Sequence, residues 1–64
     1  MLPSDKEERK KMIGYMLIDC RKMFDDLTAW EKQFIDSIEE QVEEGKDLTY
    51  RQGEILEKIY EKLT

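Results

Sequence analysis

Apolar residues recur at helical spacing in three separate stretches of this chain, and each stretch opens with a hydroxyl residue followed three positions later by Glu or Gln: Ser4 with Glu7, Thr28 with Glu31, Thr49 with Gln52. In such a pair the hydroxyl accepts from a first-turn N–H while the acid or amide accepts from the N–H of the cap itself. The pattern predicts three helices and an all-α fold. Helix 1 is expected from about Asp5 to Phe24, with Met12, Ile13, Met16, Leu17, Cys20, Met23, Phe24 and Leu27 in one arc of about 140°. Helix 2, from about Ala29 to Glu44, turns Trp30, Phe34, Ile35, Ile38 and Val42 inward, and Gly45 follows as a C-terminal cap. Helix 3, from about Tyr50 to Leu63, faces the core with Ile55, Leu56, Ile59, Tyr60 and Leu63.

The last two helices share a weak repeat at an offset of 21, in which Leu27-Thr28 and Leu48-Thr49 each begin the same capped apolar pattern. Residues 28–63 therefore read as a helical hairpin, with helix 1 laid across it and Trp30 and Phe34 as its largest core side chains. If helix 1 breaks near Gly14 the small bundle has four helices; if it runs through, three. Gly53, inside a helix, points to a close approach by another backbone.

With 64 residues the chain is one small domain, near the size at which a core holds without help. A single cysteine precludes an internal disulfide, and the absence of histidine removes the commonest metal ligand and acid–base group. Cys20 falls within the apolar arc of helix 1 and reads as a core residue. The glycines are isolated, so there is no phosphate-binding loop, and Glu39, Glu40, Glu43 and Glu44 read as a solvated face. These features predict a non-enzymatic protein without metal, cofactor or small-molecule substrate. No apolar run reaches the roughly 20 residues of a membrane span, and the first residues lack a signal peptide's apolar stretch, which predicts a soluble cytoplasmic protein.

Net charge is −5, unevenly spread: residues 1–24 carry six basic against four acidic side chains, and residues 25–64 five against twelve. Both a generally solubilising charge pattern and one face for an anionic partner fit this asymmetry. The candidate binding surface is the outer side of helix 1, where Lys10, Lys11, Tyr15, Ile18, Arg21 and Lys22 lie opposite the core arc around Gly14. Basic side chains beside an exposed ring suit single-stranded nucleic acid or an acidic protein groove. Tyr15 and Ile18 could also be covered by Met1 and Leu2, or by a second copy of the chain. Helices 2 and 3 carry rows of carboxylates that could imitate duplex phosphates, although Lys32, Lys46, Lys58 and Lys62 interrupt them.

From Leu27 the chain reads LTAWEKQFIDSIEEQVEEGKDLTYRQGEILEKIYEK. Phe34, Ser37, Ile38, Gln41, Gly45, Leu48, Thr49, Arg51, Gln52, Leu56 and Ile59 match the pattern of a short helical-hairpin module that this segment resembles, one found in phage and bacterial DNA-metabolism proteins. As a free-standing chain it is similar to the small companion proteins of the UvsW-type helicases of T4-type phages. The resemblance implies an accessory role in DNA replication, recombination or repair, in contact with nucleic acid or a DNA-processing protein such as a helicase. A phage-made inhibitor of a host enzyme and a homodimerising structural module are the alternative readings.

Overall fold

Asp5 rather than Ser4 opens the first helix in the computed structural model, which describes residues 2–63. The Asp5 carboxylate accepts from the backbone N–H groups of Glu7 (2.9 Å) and Glu8 (3.1 Å). A carboxylate is a stronger acceptor than a hydroxyl and its charge is favoured at a helix N-terminus, so the cap moves one residue along the chain. Helix α1 spans Lys6–Lys22 and runs unbroken through Gly14, giving three α-helices among the described residues. It stops two residues before Phe24, where a short 3-10 turn over Phe24–Asp26 redirects the chain.

Helix α2, Ala29–Glu43, begins at the complete capping box of Thr28 and Glu31. It closes with Gly45 at φ +81°, where the Gly45 N–H donates to Val42 O and the Lys46 N–H to Gln41 O. These two bonds are the Schellman arrangement, which requires the left-handed conformation that glycine adopts freely. Helix α3, Tyr50–Leu63, is opened by Thr49 and Gln52, whose reciprocal bonds measure 3.1 and 3.0 Å.

Helices α2 and α3 form the antiparallel hairpin, tied at one end by Gln41 with Gln52 and at the other by Lys62 Nζ to Glu31 Oε2 at 2.6 Å. Helix α1 crosses both. Ile13, Met16, Leu17 and Cys20 of α1 meet Leu27, Ile35, Ile38, Leu48, Leu56 and Ile59 in one core, and Cys20, Ile35, Ile38 and Leu56 are fully enclosed. Burial of each large aliphatic side chain contributes about 1.5–3 kcal/mol.

Four residues expected inside lie at the margin: Met12, Met23, Val42 and, most of all, Trp30, which is 59% exposed. Trp30 sits in the first turn of α2 and stacks on Phe34, ring centroids 5.4 Å apart, so the aromatic pair flanks the core and only Phe34 is partly buried. At Gly53 the close neighbours are side chains, not a backbone: an added Cβ would stand 3.0 Å from Leu2 Cδ1 and 3.4 Å from Arg9 Nη2. Leu2 thus packs beside α3 and leaves Tyr15 and Ile18 uncovered, while Met1 lies outside the described residues.

Candidate docking surface on the first helix

Helix α1 is the least amphipathic of the three, because it carries apolar residues on both its faces. On the outer face Tyr15 is 65% and Ile18 is 55% exposed. Lys11, Tyr15, Ile18 and Lys22 follow one another at intervals of four, three and four residues, which confines them to an arc of about 60° on a helix of 3.6 residues per turn. The two lysines therefore bracket the two apolar side chains over about 16 Å of helix axis. Beside them Gly14 leaves open space, since a Cβ built there meets nothing within 4 Å.

All six residues of the expected surface are exposed, but Lys10 and Arg21 lie to one side of the stripe that runs from Lys11 to Lys22. Arg21 lies at the edge of α1 that meets α2. Its Nη2 donates to Glu39 Oε2 at 2.6 Å and to Asp36 Oδ1 at 2.8 Å, its Nε to Glu39 Oε1 at 3.3 Å, and its Cζ sits 4.4 Å above the ring of Phe24. The bond to Glu39, then that to Asp36, raises the guanidinium pKa still further above its ordinary value. This cation is committed to holding α1 on α2. Lys10 lies on the same side of α1 but nearer its N-terminus, on the wall of a cavity shared with the α2–α3 turn.

The sequence offered Arg21 no visible partner, because its position about 90° from the centre of the core stripe is compatible with either solvent or a neighbouring helix. The acceptors were legible only as a pair of acids, Asp36 and Glu39, three residues apart and hence on one face of α2. Phe24 completes the site from the 3-10 turn, and Lys32 Nζ approaches the same ring at 5.6 Å.

The other carboxylates are partly neutralised within the fold. Lys6 Nζ lies 3.3 Å from Asp47 Oδ2 and Lys46 Nζ 3.9 Å from Glu44 Oε2. Glu31 is held below the usual carboxylate range, first by the Lys62 bond and then by the Thr28 backbone N–H. On the opposite flank of α1 the charge of Asp19, then burial, then a hydrogen bond to Asp19 raise the Tyr60 phenol. Burial, assisted by the charges of Asp19, Glu31 and Glu39, pushes the enclosed Cys20 thiol up and keeps it protonated. No group of three or more potential metal ligands occurs among the described residues, and no helix there is long and apolar enough to cross a membrane.

Fold and surface together define a small all-α three-helix bundle with an exposed apolar and basic stripe on one helix. Comparisons with known protein families, with curated proteins and with solved structures return no match for this chain.

Proposed function

We propose that this chain is a non-enzymatic accessory protein of phage or bacterial DNA metabolism, working in the cytoplasm by docking the outer face of α1 on an acidic surface of a helicase-type protein. The observation that carries this reading is the exposure of Tyr15 and Ile18 between Lys11 and Lys22 while Arg21 is engaged internally. Burying the exposed parts of Tyr15 and Ile18 would supply roughly 1–2 kcal/mol each, and the lysines would steer an acidic partner into register.

Single-stranded nucleic acid fits the same face less well. With Arg21 engaged and Lys10 set apart on the cavity wall, Lys11 and Lys22 are the cations left on the stripe, and neutralising two phosphates gives a salt slope of only about −1.4. Self-association through this stripe is also unfavourable. In an antiparallel two-fold pair about the midpoint of Tyr15 and Ile18, Lys11 would face Lys22 of the second copy twice, and a parallel pair would set each lysine against itself. A partner bearing carboxylates removes both conflicts.

Co-purification of tagged protein from its producing cells tests the reading. Recovery of an acidic DNA-processing protein that is lost with Tyr15→Ser and Ile18→Asp, at unchanged helicity and melting temperature, is the expected result. Recovery that survives both substitutions, or tight binding to an oligothymidylate at physiological salt, contradicts it.

A further inference from the structure

The N-terminal half of α1 and the turn between α2 and α3 enclose a cavity of about 330 Å³, open on one side. Its apolar lining is aliphatic: Ile13 and Leu48 are buried, and Val42, in the last turn of α2, reaches it while 39% exposed. Around these stand Lys6, Arg9, Lys10 and Lys46, with Asp47 as the one carboxylate among the described residues of the lining. Four cations against one anion is a strong local inversion in a chain of net charge −5.

The cations differ in how firmly they are held. Arg9 is half-buried, donates a long bond to Leu48 O, 3.5 Å, and is shared with a second cavity on the α3 side beside Gly53. Lys6 pairs with Asp47 across solvent, with side chains 73% and 55% exposed, an interaction of the weak class that exchanges readily. Lys46 approaches Glu44 only at 3.9 Å, and Lys10 stands on the wall beside Ile13.

We infer that this cavity is a recognition site for an acidic peptide segment, taking one aliphatic side chain against Ile13, Val42 and Leu48 while flanking carboxylates meet Arg9, Lys10 and Lys46. The aliphatic lining selects the ligand class. Among the described residues no aromatic ring lines the cavity, so a nucleobase would find no ring to stack on, whereas a leucine or isoleucine side chain meets like surface. The volume lies at the lower end of ligand sites, enough for one side chain and its neighbours rather than a folded element. The site is separate from the Tyr15 and Ile18 stripe and stands or falls independently of it.

Methyl and amide NMR titration of the intact protein with a capped pentapeptide of one leucine between paired aspartate and glutamate residues tests the assignment. The Ile13, Val42 and Leu48 methyl signals should move. Affinity should fall at least tenfold when Lys10→Glu and Lys46→Glu are combined, and again for Val42→Asp, with helicity and melting temperature confirming that each variant folds. A peptide with serine in place of leucine should bind at least fivefold more weakly. Equal affinity for the serine peptide, shifts reproduced by inorganic phosphate alone, insensitivity to the variants, or movement of the Tyr15 and Ile18 signals instead would each overturn it.

Discussion

Gln41 and Gln52 face each other across the helical hairpin and exchange two amide hydrogen bonds, each 3.1 Å long. Neither side chain stops there. Gln52 Oε1 also accepts from the Thr49 N–H that begins α3, and Gln41 Nε2 also donates to Asp47 O in the turn. One pair thus joins the end of α2, the connecting turn and the start of α3.

Removing either amide should therefore cost more than one surface hydrogen bond. Gln41→Leu and Gln52→Leu are each expected to destabilise by about 1–2 kcal/mol, and the double substitution by less than their sum. Gln52→Glu retains the acceptor for Thr49 but loses the donor to Gln41, so it should cost less than Gln52→Leu. Urea denaturation of the wild type and these four variants measures the coupling and the Gln52→Glu effect.

Arg21 is a structural cation, and its substitution should register in stability before it registers in binding. The side chain is 44% exposed, which limits its pairs with Asp36 and Glu39 to the modest range of surface networks. Arg21→Gln should lower stability by roughly 0.5–1 kcal/mol, and the loss should shrink at high salt. Docking through Tyr15 and Ile18 should persist in this variant, as a co-purification experiment would report.

Acid should weaken the fold through Glu31. Its carboxyl titrates below the usual range in the folded state because Lys62 and the Thr28 N–H stabilise the charged form. A depressed folded-state pKa gives a contribution that is complete above the unfolded carboxylate pKa and lost as pH falls through the folded one. Melting temperatures of the wild type and Glu31→Gln should differ at neutral pH and converge as pH drops below the ordinary carboxylate range.

Two glycines should respond with opposite signs. Gly14 lies inside α1 with open space where a Cβ would stand, so Gly14→Ala should stabilise by about 0.5–1 kcal/mol. Gly45 has φ +81° in the cap of α2, where an alanine is strained, and Gly45→Ala should destabilise by about 1 kcal/mol. Thermal melts of both variants separate the two effects.

The hairpin was legible because its signals are local. Thr28 with Glu31, Thr49 with Gln52 and the left-handed Gly45 depend on neighbours a few residues away, and all three form as their spacing implies. Ser4 lost its cap to Asp5 because two capping residues stood side by side, a contest that spacing alone does not decide. Periodicity also gives the direction of a side chain around a helix but not how far the neighbouring helix extends along it. Val42 points along the core stripe yet emerges over the cavity, and Trp30 ends at the rim, for that reason. The same ambiguity grouped Lys10 and Arg21 with Tyr15 and Ile18, although the first lines a cavity and the second binds α2.

The docking role assigned to α1 is tested most directly by site-specific photo-crosslinking in the producing cells, with a benzophenone side chain replacing Tyr15 in one variant and the somewhat more exposed Tyr50 in another. Tyr50 is 74% exposed but lies on α3 beside Glu54, so it controls for exposure alone. Irradiation at position 15 should give one dominant adduct with an acidic DNA-processing protein, and position 50 should not. Equal adducts from both positions, or an adduct at position 15 only with a second copy of this chain, would contradict the account.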